Sequence, residues 1–122
     1  MLVLQQSNHP NIVGLIDRMK SRSSYYLILD YCNGGDLASF INVVGRVNEK
    51  EARHIIVQII EGMIHLHGLK VLHRDLKLAN ILLHFPQMVG KEDQITSHWL
   101  SKIDLLNTPF EVKIADLGFS KL

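Results

Sequence analysis

Between residues 48 and 68, apolar residues fall at Ala52, Ile55, Ile56, Ile59, Ile60, Met63 and Ile64, three and four apart, the spacing of one face of an α-helix. Asn48 is placed to cap the first free amides. Glu51, three residues on, completes a capping-box pattern with Asn in place of Ser or Thr, and Gly68 closes the run. A helix this long must bury its stripe against a second layer, and the flanking sequence offers strands. Residues 12–17 read as a strand after the break at His9-Pro10-Asn11. Tyr25–Leu29 is aromatic and aliphatic throughout, as a strand buried on both faces would be, and Cys32-Asn33-Gly34-Gly35 stops it. Beyond the helix, residues 70–72, 81–83 and 112–114 are β-rich. The expected class is α+β.

Composition narrows the functions. With 122 residues, 47% hydrophobic and 20% charged, the chain fits one modest globular domain. A formal net charge of +1 supplies no broad basic field, so neither nucleic acid nor an anionic membrane is expected as a partner. The sequence holds no apolar run long enough to span a bilayer. Cys32 is the only cysteine, which excludes an intrachain disulfide and suits a reducing compartment; the expected location is cytoplasmic. Seven histidines invite a zinc reading, but no HExxH or paired Cys-His spacing accompanies them.

The chemistry concentrates in His73-Arg74-Asp75-Leu76-Lys77-Leu78-Ala79-Asn80, which sets a carboxylate, an ammonium and an amide within six residues. Downstream, Lys113-Ile114-Ala115-Asp116-Leu117-Gly118 supplies an Asp-x-Gly after a short strand. Alone, such a tripeptide is more often a turn than a ligand. In this order the two motifs resemble the catalytic and metal-binding loops of eukaryotic protein kinases. The resemblance implies a two-lobed protein-kinase-like fold, ATP and Mg²⁺ as cofactors, and phosphoryl transfer to Ser or Thr hydroxyls of a protein substrate. By it, Asp75 is the base that accepts the hydroxyl proton, and Lys77 meets the transferring phosphate and favours Ser/Thr over Tyr. Asn80 and Asp116 are the magnesium ligands, hard oxygen donors of the kind the ion prefers. Arg74 resembles the arginine that pairs with a phosphorylated activation loop, and His73 is structural.

The segment from Tyr25 to Leu37 is similar to the fifth strand, hinge and following helix of the same fold. On that alignment Leu29 is the gatekeeper, backbone groups of Asp30 and Cys32 hydrogen-bond adenine, Asp36 approaches the ribose, and Leu82 forms the apolar floor. For Asp36, an ordinary helix N-cap explains the residue equally well. The wording from Asp30 to Leu37 is especially similar to autophagy-initiating kinases of the Unc-51-like group. The chain then divides into the end of the small lobe (1–29), the hinge (30–36) and the start of the large lobe (37–122), with an insert at 84–110. Within that insert Ile95, Trp99, Ile103 and Leu106 lie at helical spacing, so residues 92–106 are expected to form an amphipathic helix that packs on its own domain or docks a protein partner. Neither a Gly-x-Gly-x-x-Gly loop nor a strand lysine of the Val-Ala-Ile-Lys type occurs upstream. These 122 residues alone are therefore expected to be an incomplete domain without activity. The competing reading is a non-catalytic kinase-like scaffold.

Overall fold

The structure, a computed structural model, describes residues 8–73 and 75–115. Two antiparallel strands come first, β1 (Leu15–Lys20) and β2 (Tyr25–Leu29), followed by helices α1 (Leu37–Val44) and α2 (Glu49–Gly68). Strand β3 (Ile81–His84), the short helix α3 (Ser97–Lys102) and strand β4 (Glu111–Ile114) complete the order. No helix among the described residues is long and apolar enough to cross a membrane.

The capping box at the start of α2 forms as the sequence predicts. Asn48 Oδ1 accepts from Glu51 N–H at 2.8 Å, and the Glu51 carboxylate accepts from Asn48 N–H at 3.1 Å. Along the helix only part of the stripe reaches the core: Ile55 and Leu66 are buried and Ile59 and Met63 pack against the core, whereas Ile56, Ile60 and Ile64 stay exposed. The inward side instead contains Gln58, whose Oε1 accepts from Asn11 Nδ2 (3.1 Å) and from Val112 N–H (2.8 Å).

Strands β3 and β4 pair antiparallel, with Ile81 opposite Ile114 and Leu83 opposite Val112. Side chains alternate across a strand, so these four residues all enter the core with Ile12, Leu37, Phe40, Ile55, Leu66, Val71, Phe85 and Leu105. Ile12 extends this sheet through one parallel bridge to Ile114, with Val13 N–H on Ile114 O at 3.0 Å and Ile114 N–H on Asn11 O at 2.9 Å. The strand expected at 12–17 is thus split: its first residues serve the β3–β4 sheet, and the hairpin strand begins only at Leu15. Residues 70–72 form no strand beyond a single bridge position at Leu72.

A second correction concerns the hairpin. All five residues of β2 are exposed, although the run reads as buried on both faces. A two-stranded hairpin has two faces, and among the described residues no layer covers either of them.

Gly62 is required by close approach. A Cβ there would lie 2.8 Å from Asn11 O and 2.9 Å from Ile114 Cδ1. In the intact protein Gly62→Ala should lower stability: forcing a methyl into packed surroundings costs about 1–3 kcal/mol, of which the better helix propensity of Ala returns at most about 1 kcal/mol. A fall in the thermal midpoint checks this; an unchanged or higher midpoint contradicts it.

Candidate functional site

Helix α2 ends in a tight reversal. Lys70 adopts the left-handed region at φ 60°, and Val71 N–H returns to Leu66 O at 2.9 Å, burying Val71 and aiming the chain at His73. His73 is 2% exposed, and its Nε2 lies 2.6 Å from Ala115 O. A carbonyl oxygen only accepts, so Nε2 carries the hydrogen. Nδ1 then takes the N–H of Asp75 at 3.2 Å. Both ring nitrogens are committed to backbone, the structural part the sequence predicts for this residue. Ala115 N–H in turn donates to Asn80 O at 2.8 Å, so β4 leaves the sheet tied to both ends of the octet.

Asn80 is buried at the close of a single 3₁₀ turn (Leu78–Asn80). Its Nδ2 donates to Asp75 O at 2.7 Å and to Asp75 Oδ2 at 3.1 Å. Both partners only accept, which fixes the orientation of the amide and leaves Oδ1 as the oxygen that can be offered to a hard cation. Lys77 Nζ stands 3.7 Å from Asp75 Oδ2 on the solvent side. The structure therefore brings Asp75, Lys77 and Asn80 together. Arg74 and Asp116 lie outside the described residues.

The residues expected around adenine gather at the other end of β3. Asp30 N–H donates to Gly14 O (2.9 Å) and its carboxylate accepts Gly14 N–H (2.8 Å), with Lys113 Nζ 3.9 Å away. That side chain latches residue 30 to the N-terminal segment. Leu29 pairs with Leu15 at the end of β2. Gly34 N–H donates to Leu83 O and Leu83 N–H to Gly35 O, each at 2.8 Å, and Asp36 bridges Leu82. Leu82 alternates with the buried Ile81 and Leu83 and so faces away from the core. Asp36 caps α1: one carboxylate oxygen takes Ser39 N–H at 2.8 Å, the other Ser39 Oγ at 3.0 Å.

Burial pushes the Cys32 thiol up to about 11; Lys113 opposes this, and Asp30 and Glu111 add to it. A two-unit rise removes about 99% of the thiolate present at pH 8 in an unshifted cysteine. Alkylation of Cys32 by iodoacetamide should be about 100-fold slower than that of a free cysteine and should accelerate as pH climbs toward 11. Labelling at the free-cysteine rate at pH 8 would refute this.

Sequence reasoning missed the residue that fastens segment 30–36 to the chain after β3. Asn33, read as a turn former, is buried; its Nδ2 donates to Phe85 O at 3.0 Å and its Oδ1 accepts Phe85 N–H at 2.7 Å. It also missed Gln58, although a glutamine three residues after Ile55 and four before Gly62 on a buried stripe signals a polar group that must find partners.

The expected helix over residues 92–106 shortens to α3, capped by Thr96 Oγ1 on Trp99 N–H at 3.1 Å and preceded by a 3₁₀ turn at Glu92–Gln94. Ile95, Trp99 and Ile103 pack on the chain's own core, and Leu105 rather than Leu106 is fully buried. Own-domain packing is thus the use the stripe has, and it gives no support to a docked partner.

A family model described as the protein kinase domain matches residues 1–122. The chain is 37% identical over 119 residues to the human serine/threonine-protein kinase ULK1 and 42% identical over 121 residues to ATG1c of Arabidopsis thaliana. These alignments cover 98% and 99% of the chain but 10% and 14% of the relatives, so the chain spans a small part of their length. Among solved structures, one of the Rad53 kinase domain and SCD2 superposes with a TM-score of 0.74 at 33% identity, covering 99% of this chain and 38% of that one. A second, of the same protein in complex with AMPPNP, gives 0.72 at 34% identity, with 98% and 38% covered. The octet that ties carboxylate, amide and strand together therefore sits in the fold its sequence resembles, and the chain belongs to the protein kinase domain family.

Proposed function

We propose that the protein carrying this chain transfers the γ-phosphoryl group of ATP to Ser or Thr hydroxyls of proteins. The observation that carries this reading is the double hydrogen bond from Asn80 Nδ2 to Asp75, which holds a carboxylate and an amide oxygen in one rigid unit. In that role Asp75 takes the hydroxyl proton as the substrate oxygen bonds the γ-phosphorus and the bond to the β-phosphate oxygen breaks, releasing ADP. Lys77, close to the same carboxylate, supplies positive charge to the transferring group. Asn80 Oδ1, with Asp116, would hold Mg²⁺, which neutralises charge on the phosphate oxygens when bound. Leu29, the backbone of Asp30 and Cys32, and Leu82 would receive the base, while Asp36 adds the ribose contact to its capping role. Nucleotide binding by the similar Rad53 kinase domain, seen with AMPPNP, supports the ATP assignment. Residues 1–29, 30–36 and 37–122 would then be small-lobe end, hinge and large-lobe start, in a cytoplasmic enzyme.

The test uses the full-length protein with Mg²⁺, γ-labelled ATP and a general Ser/Thr substrate such as myelin basic protein. Label on phosphoserine or phosphothreonine, lost on chelation of Mg²⁺, is expected. A full-length protein that binds no nucleotide and transfers no label overturns the proposal.

A further inference from the structure

The insert at 84–110 meets residues 33 and 34 through His84 and Phe85. The main chain of Phe85 is held on both its N–H and its C=O by the Asn33 side chain, at 2.7 and 3.0 Å, in a buried reciprocal pair. Asn33 N–H is itself taken by His84 Nδ1 at 3.3 Å, and Gly34 N–H by Leu83 O at 2.8 Å. Leu83, His84 and Phe85 thus grip Asn33, Gly34 and Gly35, directly after Cys32.

The ring of Phe85 completes the grip. A Cβ on Gly34 would lie 2.7 Å from Phe85 Cε2, so the ring lies flush against hinge backbone and only glycine fits there. The same ring meets Trp99 in a T-shaped contact, with centroids 5.2 Å apart and planes at 82°. Trp99 belongs to α3, inside the insert, and is held by the Thr96 cap and by packing on the core. The Phe85 ring is thus packed against both the Gly34 backbone and the Trp99 indole. A ring held by both backbone and indole keeps one position; one that loses a neighbour gains others.

We infer that the insert is a brace for the hinge and that Trp99 is a positioning residue for nucleotide binding, acting through Phe85 and Asn33 on the backbone at Cys32. This goes beyond the proposed function and rests on it only where nucleotide is concerned. Trp99 is remote from the octet in sequence and joins none of the hydrogen bonds that hold Asp75 and Asn80, so its effect falls on binding of the base rather than on the chemical step.

The experiment compares wild type, Trp99→Ala and Trp99→Phe in the full-length protein with two readouts. In amide hydrogen exchange without nucleotide, Trp99→Ala should speed exchange at Gly34 and Phe85 about three- to tenfold, the scale of one aromatic contact, while amides in the middle of α2 keep their protection. In kinetics, the same variant should raise the ATP KM and the ADP Kd by a similar factor with kcat within about twofold, and Trp99→Phe should recover most of both. Uniform loss of protection, or unchanged exchange at Gly34, overturns the brace. A rise in exchange at Gly34 with unchanged KM and Kd overturns the positioning role. Absence of any nucleotide binding by wild type refutes the proposed function, and the exchange result then decides the brace by itself.

Discussion

Asp75→Asn in the full-length protein should lower kcat by about 10²–10⁴, the range for removal of a general base, with little change in the ATP KM. The substitution suits the question because it leaves the local structure standing. An Asn at this position still presents an oxygen to Asn80 Nδ2, and the main-chain bond from Asn80 Nδ2 to Asp75 O is untouched. The contact with Lys77 is lost, but at 3.7 Å between half-exposed groups it contributes about 0–1 kcal/mol. What disappears is the ability to accept the hydroxyl proton. An unaltered thermal midpoint beside a collapsed kcat is the expected pair of results; a kcat within tenfold of wild type would remove Asp75 from the chemistry.

Phe85→Ala should destabilise the intact protein by about 3–5 kcal/mol, the cost of emptying a fully buried aromatic site. Phe85 is 0% exposed, and its ring packs against the Gly34 backbone and the Trp99 indole. Collapse of the cavity is hindered on the Gly34 side, because that backbone is bound to Leu83. The main-chain bonds to Asn33 survive the substitution, so the loss reflects packing rather than polar groups. Urea unfolding should show the midpoint fall at nearly constant slope. A loss below about 1 kcal/mol would mean that neighbouring side chains refill the site.

Much of the site could be read from the residues because its parts are adjacent in sequence. Asp75, Lys77 and Asn80 lie within six residues, so one 3₁₀ turn and one amide are enough to bring them together. The start of α2 was equally readable, since capping is a contact between residues three apart. Long-range contacts were not. Nothing local to Asn33 announces that its amide will serve Phe85 across 52 positions, and Asn-Gly-Gly has a sufficient explanation as a turn. The same limit explains the hairpin: the pattern of Tyr25–Leu29 records that the strand is apolar on both faces, but not which layers cover it. Within the insert, the spacing of Ile95, Trp99 and Ile103 located the apolar side, but the helix stops at Lys102 because Ile103 turns extended, at ψ 143°.

The fixed orientation of Asn80 makes position 80 less forgiving than its chemistry suggests. Aspartate has the same shape and would keep an oxygen for a cation, so Asn80→Asp looks conservative. Yet the atom that now donates to Asp75 O at 2.7 Å and Oδ2 at 3.1 Å would become an oxygen facing two oxygens. Repulsion there would displace the Asp75 carboxylate from the position in which it can accept a proton. The amide nitrogen, which touches neither phosphate nor substrate in the proposed reaction, is in this sense what keeps Asp75 ready to take one.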